Sequence, residues 1–465
     1  MEQIGKMTSS DTICAVSTPA GTGGIAVVRV SGNDAVATVA GAWKGRDLNS
    51  LESHRATLGN YVATDGSVLD QGVATVFRAP RSFTGEDVVE ISVHGSKWIQ
   101  REVLADLVRR GARPAGRGEF TQRAFLNGRL DLAQAEGVAD LIAASSRAAH
   151  RLAITQTRGR FSNEFNALRD KLIEFASLLE LELDFSEEDV EFADRQRLKE
   201  LAALVLGKVE RLAASYSSGA VLKEGVPVVI AGVPNAGKSS LLNLLLGDEK
   251  AIVTDIPGTT RDVIEDTAEI DGILYRFSDT AGLRESSDAV EAIGVERARA
   301  KLRQARIVIW VIDPSSPLDI QLGELKAYLE RPQDSGIVIL SNKSDLYPTV
   351  DKKTLINATG IQDVIPFSAK TGDGLDELLE RLKTLATDGF NPEEELIVTN
   401  ARHYEALTKG ASALRRAIDA LDQGISGDFI AQDVREATSH LGEITGLVTT
   451  PDLLSSIFSR FCIGK

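Results

Sequence analysis

Cysteine is almost missing from this chain. Cys14 and Cys462 are the only two among 465 residues, so neither a disulfide framework nor a four-thiolate zinc site can be built. Long apolar runs are missing too: a stretch such as Ile307 to Ile312 falls far short of the ~20 residues that cross a bilayer. The opening residues, Met1-Glu2-Gln3-Ile4-Gly5-Lys6, contain no basic segment leading into an apolar one, so no secretory signal is expected. Positive charge is in deficit, with 52 Lys+Arg against 67 Asp+Glu and a net charge of -15. That balance excludes a protein that coats nucleic acid nonspecifically. A local basic patch stays open: residues 101 to 129 hold seven arginines (101, 109, 110, 113, 117, 123, 129) against three acids. They could face phosphates or be solvated surface charge. These absences together lead us to expect a cytoplasmic protein in a reducing compartment, with no membrane partner.

Proline is absent between Arg129 and Ser218, and glycine is sparse there. Leu168, Leu172, Phe175 and Leu179 recur at spacings of four and three, one face of an amphipathic helix. The pattern returns after Asn391, in Leu407, Leu414, Ile418 and Leu421. Between these stretches, apolar strand-like runs alternate with helical ones, which implies a parallel sheet covered by helices. Residues 1–126 mix β-branched runs (Ile25 to Val30, Val73 to Phe77, Val88 to Ser92) with turns, as in an α/β or α+β domain. The organisation expected is an N-terminal domain at 1–126 and a helical domain made of segments 127–222 and 388–465. An α/β domain at 223–387 is inserted into it. Four consecutive domains are the alternative.

The inserted region carries chemistry. Val228 to Ala231 reads as a buried strand, with Pro227 at its start where a missing N–H is tolerated. Gly232-Val233-Pro234-Asn235-Ala236-Gly237-Lys238-Ser239 follows, then the helical run Ser240 to Leu246. This is a phosphate-binding loop in its strand–loop–helix context. The glycines let backbone amides point at phosphates, and the helix N-terminus adds its positive dipole end. Lys238 is expected on the β/γ oxygens and the Ser239 hydroxyl on Mg²⁺. The base follows from Asn342-Lys343-Ser344-Asp345, placed after the run Ile337 to Leu340. A carboxylate there accepts both N1–H and the exocyclic amine of guanine, a pair that adenine lacks. Ser368-Ala369-Lys370 would back the guanine ring, and Asp279 would hold Mg²⁺ through water. The Gly282 amide would sense the γ-phosphate.

Leu283 occupies the position where Ras-like proteins carry a water-orienting glutamine, and leucine cannot align water. Two substitutes stand open. Asn235 and the loop Thr254 to Asp262 could ring a monovalent cation beside the phosphates, or Arg261 could act as a finger.

The order of these motifs resembles the tRNA-modification GTPases of the MnmE, or TrmE, family. So do Gly258-Thr259-Thr260-Arg261-Asp262, Asp279 to Glu285 (DTAGLRE) and the end Phe461-Cys462-Ile463-Gly464-Lys465. The N-terminal strings Ser82 to Asp87 (SFTGED), Arg117-Gly118-Glu119-Phe120-Thr121 and Arg123-Ala124-Phe125-Leu126-Asn127 extend the likeness over nearly the whole chain. The resemblance implies a multidomain α/β and α fold. Its parts are an N-terminal α/β folate-binding domain, a two-segment helical domain and an inserted Ras-like P-loop GTPase domain. It implies that GTP or GDP binds through Asn235, Ala236, Gly237, Lys238, Ser239, Ser240, Thr254, Thr259, Thr260, Asp279, Gly282, Asn342, Lys343, Asp345, Ser368, Ala369 and Lys370. Mg²⁺ would be held by Ser239 and Thr260, and K⁺ by Asn235 with Thr254, Ile256 and Thr259. Glu291 would orient the attacking water, giving a catalytic set of Glu291, Lys238 and the tail thiol Cys462. A tetrahydrofolate, in its 5-formyl or methylene form, would meet Arg29, Glu90, Arg129 and Lys465. Expected partners are a second copy of the chain in a homodimer, a flavin-dependent protein of the MnmG (GidA) type, and tRNA. An assembly GTPase with no further chemistry, and a cation-gated scaffold whose partner does the tRNA chemistry, are the competing readings.

Overall fold

A computed structural model describes residues 11–184, 195–247, 251–253, 266–279, 300–330, 335–348, 350–388, 390–391 and 395–464. The chain forms two compact units. One comprises Met1–Ala139, Gln156–Arg169 and Ser439–Lys465; the other comprises Asp140–Thr155 and Asp170–Thr438.

The first unit is built on a seven-stranded sheet. Its strands are β1 (Ile13–Val16), β2 (Gly23–Ser31), β3 (Trp43–Gly45), β4 (Arg55–Val62), β5 (Val68–Phe77), β6 (Val88–Gly95) and β7 (Arg113–Pro114). Their order across the sheet is β3-β4-β5-β6-β2-β1-β7. Only β1 and β7 run parallel; every other pairing is antiparallel. Alternation of side chains gives the sheet two different faces. Ala26, Val28 and Val30 of β2 and Val89, Ile91 and Val93 of β6 point inward and form a core with Val36, Val39, Val103 and Leu107. The intervening residues, Arg29 and Glu90 among them, stand on the opposite face, directly paired in register. The chain end packs in the same unit. The helix Pro451–Phe458 starts at Thr450, whose hydroxyl accepts from the Leu453 amide, and proline fills its first turn. Its apolar side joins Leu132, Ala135 and Phe125.

The second unit holds the other sheet, ordered β14-β13-β12-β8-β11-β10-β9. Here β8 is Val226–Ala231, β9 Ala251–Val253, β10 Asp266–Ile270, β11 Ile273–Asp279, β12 Ile307–Ile312, β13 Gly336–Ser341 and β14 Val364–Pro366. The five strands from β14 to β11 are parallel, and β10 and β9 continue the sheet antiparallel. Continuous apolar strands fit this arrangement because helices cover both faces. On one face Val228 and Ile230 of β8 meet Leu241 and Leu245 of the helix Lys238–Gly247, and Leu378 and Leu382 of the helix Leu375–Thr387. On the other, Val229 and Ala231 meet Leu322 and Leu325 of the helix Leu318–Leu329 and Leu355 of the helix Lys352–Thr359. Pro227 lies second in β8 rather than first; its carbonyl accepts from the Arg306 amide at 2.9 Å. The helix Arg195–Ala214 packs along Ala401–Asp422, so distant segments share one helical layer. Arg415 donates to Glu210, and the Val398 amide donates to the Ser215 hydroxyl at 3.0 Å. Of the helical residues picked out by spacing, Leu168, Leu172, Phe175, Leu179, Leu407, Leu414 and Leu421 are buried. Ile418 is half-buried.

Candidate functional site

Because β8, β11, β12, β13 and β14 are parallel, the loops that follow them emerge from one edge of the sheet. The phosphate loop leaves β8 at Ala231. Gly232 has φ +139°, and a Cβ there would lie 2.3 Å from the Val311 carbonyl oxygen. Only glycine lets the loop pass so close to β12. Asn235 takes a left-handed backbone, φ 62°, and its side chain is exposed. Gly237 has φ +97°, with a Cβ position 2.2 Å from Asn342 Nδ2. The helix Lys238–Gly247 begins immediately after. The Lys238 ammonium donates to the carbonyls of Gly232 and Val233, both at 2.9 Å, and so lies across the loop. Ser239 and Ser240 are exposed on the first turn.

The loop after β13 is tied to this one. Asn342 is buried, and both ends of its amide are used: Nδ2 donates to the Ala236 carbonyl at 2.7 Å, and Oδ1 accepts from the Ala369 amide at 2.9 Å. Asn342 therefore clamps the phosphate loop and the Ser368–Lys370 loop together. Lys343 also has a left-handed backbone, φ 63°, and its ammonium pairs with Asp313 at 2.6 Å. Ser368, fully buried, donates to Asp345 Oδ1 at 2.9 Å and holds that exposed carboxylate in orientation. Such a fixed carboxylate can accept two parallel N–H bonds from a planar donor pair. Asp279 ends β11, opposite Ile230 of β8, which places its backbone beside the start of the phosphate loop. Lys370 is exposed. The structure thus brings Asn235 to Ser240, Asp279, Asn342 to Asp345 and Ser368 to Lys370 to one edge. Thr254, Ile256, Thr259, Thr260, Gly282 and Glu291, along with Arg261 and Leu283, lie outside the described residues.

A second cluster sits on the outer face of the N-terminal sheet. Arg29 Nε and a terminal guanidinium nitrogen both reach Glu90 Oε1 at 2.9 Å. The guanidinium carbon stands 5.2 Å from the Phe83 ring centroid and 5.5 Å from that of Phe120. The loop Ser82 to Asp87 joins this pair to Arg129, since Phe83 meets Arg29 and Gly85 packs on the Arg129 stem. Three groups hold the loop. Ser31 donates to Glu86 at 2.7 Å, Arg123 reaches Glu86 at 3.1 Å, and Asn127 donates to the Thr84 carbonyl at 2.8 Å. Arg123, buried, also pairs with Asp11 and Glu119. Burial works to raise the Asp11 and Glu119 carboxyls, but bonds from Arg113 and Arg123 outweigh it and leave both lowered. Glu86, Asp87 and Glu90 are in partly buried ion pairs with Arg123, Arg78 and Arg29.

The tail runs beside this cluster. The Cys462 carbonyl accepts from the Gly118 amide, and Ser17 Oγ donates to the Gly464 carbonyl at 3.0 Å. Gly464 has φ +94°, and a Cβ would lie 2.2 Å from the Val16 carbonyl oxygen. Val16 is adjacent in β1 to Ala15, the partner of Arg29 across the sheet. Cys462 itself is a free, exposed thiol. Lys465 lies outside the described residues.

The arginine run 101–129, open to facing phosphates or to being surface charge, is mostly engaged in ion pairs. Arg101 pairs with Glu102, Arg109 and Arg110 with Asp106, Arg113 with Asp11 and Glu119, and Arg123 with three acids. The charge is largely neutralised within the unit. Sequence reasoning also passed over Asp313, Phe83, Phe120 and the Arg123 network. Only Asp313 left a signal, as an acid at the carboxyl end of an apolar strand.

Comparison with known proteins agrees with this geometry. Residues 12–129 match a family model described as the GTP-binding protein TrmE N-terminus, and residues 132–462 match one described as the MnmE helical domain. A tRNA modification GTPase MnmE from Cytophaga hutchinsonii is 49% identical over 98% of each chain. Proteins of the same name from Parabacteroides distasonis and Bacteroides fragilis are 47% and 48% identical, over 98% of this chain and 100% of theirs. By these matches, the chain belongs to the MnmE (TrmE) family of tRNA modification GTPases.

Proposed function

We propose that this GTPase acts with a flavin-dependent MnmG-type partner to add a carboxymethylaminomethyl or aminomethyl group at C5 of the tRNA wobble uridine. The observation that carries the reading is that one chain joins two equipped sites: a clamped guanine-nucleotide edge and a polar, aromatic-walled cluster beside an exposed terminal thiol. Lys238 lies across the loop that would cradle the phosphates, and Asp345, oriented by Ser368, would read guanine. The Ser239 hydroxyl is an exposed hard oxygen on the first turn, which suits Mg²⁺; Thr260 would be its second protein ligand. Asn235 presents an exposed amide beside the phosphate loop, a fitting donor for K⁺ together with Thr254, Ile256 and Thr259. Either cation, when bound, offsets charge on the phosphate oxygens. Glu291 would orient water in the role that Leu283 cannot fill.

In the N-terminal cluster, Glu90 is an acceptor for the donors of a pterin, and Arg129 and Lys465 are cations for the glutamyl carboxylates of a tetrahydrofolate. The folate would supply the one-carbon unit. Phe83, partly exposed over Arg29, gives an apolar face suited to a planar ring, while Phe120 backs Arg29 from the core. Cys462 would stand near that carbon as a functional thiol. The boundaries 1–126, 127–222, 223–387 and 388–465 serve as the working domain division. A homodimer, with nucleotide faces meeting in K⁺, and a cytoplasmic location complete the proposal. Among the described residues no helix is long and apolar enough to cross a membrane.

A reconstituted assay with tRNA, the flavoprotein, a 5-formyl- or methylene-tetrahydrofolate, GTP and K⁺, each omitted in turn, tests it. Modified uridine should appear only in the complete mixture. Product without folate, or with the flavoprotein alone, would remove the proposed chemistry. Replacing K⁺ by Na⁺ should slow hydrolysis, and equal rates would remove the cation loop.

A further inference from the structure

Asp313 sits just past β12, at the strand end next to the one that carries Asn342 to Asp345. Its side chain is 3% exposed, and each of its own polar atoms has a partner. Oδ1 accepts from the amide and the hydroxyl of Ser315, at 2.9 and 2.6 Å. The backbone amide of Asp313 donates to Gln321 Oε1, and its carbonyl accepts from Gln321 Nε2, both at 2.9 Å. Gln321 is itself buried. Oδ2 takes the Lys343 ammonium at 2.6 Å. Asp313 is thus fixed by its own strand end and helix without help from Lys343. The lysine depends on the anchor. Its backbone is left-handed, a conformation a lysine adopts at a cost. Its chain neighbours have separate tasks: Asn342 clamps the phosphate loop, and Asp345 is oriented by Ser368.

We propose that Asp313 is a positioning residue of the guanine site, whose buried carboxylate pins Lys343 so that the Asn342 to Asp345 loop holds its ligand-ready shape. This rests on the reading of Asp345 as the guanine-recognising group. Asp313 touches no nucleotide; it acts through Lys343. Burial works to raise its carboxyl, but the bonds from Lys343 and Ser315 outweigh it and keep the group ionised.

The test is dissociation of a fluorescent GDP from the full-length protein, with steady-state GTP hydrolysis alongside. Asp313→Asn keeps an acceptor for Ser315 but removes the charge, and GDP should leave roughly tenfold faster, the loss expected for one charge-assisted bond. KM for GTP should rise while kcat stays within about twofold. Lys343→Met should speed dissociation similarly, and adding Asp313→Asn to it should change little further, because the two act as one unit. Asp313→Glu, which keeps the charge, should restore dissociation to within roughly threefold of the parent and serves as the test if Asp313→Asn does not fold. If Ser315→Ala reproduces the Asp313→Asn effect, or if the two variants add independently, Asp313 only braces its own turn and the proposal is overturned. The guanine reading is checked separately. If the parent binds GDP and Asp345→Asn switches preference to XDP while Asp313→Asn leaves dissociation unchanged, only the anchor fails. If the parent shows no preference for GDP, the site assignment itself fails.

Discussion

Gly237→Ala probes the clamp between the phosphate loop and the base loop. Two costs follow from the geometry. An alanine at φ +97° occupies the left-handed region, at about 1–2 kcal/mol. Its Cβ would also stand 2.2 Å from Asn342 Nδ2, which is a side chain with no slack, since both ends of the amide are hydrogen-bonded. Displacing Asn342 sacrifices its bonds to Ala236 and Ala369, at about 1 kcal/mol each. The sum is about 3–4 kcal/mol, concentrated in the residues read as shaping the nucleotide site, so GDP affinity should fall roughly 100- to 1,000-fold. Calorimetric titration of the full-length variant with GDP measures this directly. The N-terminal sheet lies in the other compact unit and should be unaffected, which a parallel melting curve would show as an unchanged transition. GDP affinity within about threefold of the parent would refute the claim that the Asn342 clamp shapes the site.

Further expectations concern the first unit. Cys14 is buried, and burial pushes its thiol up to about 11, whereas Cys462 is exposed. A thiol reagent at pH 8 should therefore label Cys462 alone in the native protein and both cysteines after denaturation; prompt native labelling of Cys14 would contradict the packing. Asp106 accepts bonds from Tyr61, Thr64 and Arg110. Burial works to raise its carboxyl, but the Arg110 and Thr64 bonds outweigh it and hold it at about 2. A folded-state value below the unfolded one means stability that is present above about pH 4 and lost as pH falls toward 2. Asp106→Asn should flatten acid unfolding of this unit in that window and lower its melting temperature at pH 7; an unchanged acid profile would count against the network. Gly464→Ala places a Cβ against the Val16 carbonyl and should release the tail. Protease cleavage near Phe461 should then rise several-fold with GTP turnover unchanged; equal cleavage would mean the tail is not docked there.

How much of this was legible in the sequence depends on how far apart the interacting residues lie. The phosphate loop could be read because strand, loop and helix are contiguous, and the demands on Gly232 and Gly237 are local. The loops at Asn342 and Ser368 could be read for the same reason, since each follows an apolar strand run. That Asn342 spends its amide on Ala236 and Ala369, rather than standing free beside a base, requires the parallel register and was not legible. Asp313 meets Lys343 across 30 positions, through the pairing of Ile312 with Ser341. The arginines 101–129 stayed ambiguous for the opposite reason. Their run is visible in one stretch of sequence, but Asp11, a partner of Arg113 and Arg123, is contributed from over 100 positions away. The helical stretches could be read from their amphipathic spacing, but the pairing of Arg195–Ala214 with Ala401–Asp422 could not, and the face Leu168 to Leu179 lies on another helix, Arg160–Asp184.

The measurement nearest the centre of the account is calorimetric titration of the unmodified full-length protein with GDP and, separately, with ADP in the presence of Mg²⁺. One site per chain for GDP with no detectable heat from ADP is the result expected from an Asp345 carboxylate held in place by Ser368. Equal binding of both nucleotides, or of neither, would contradict it.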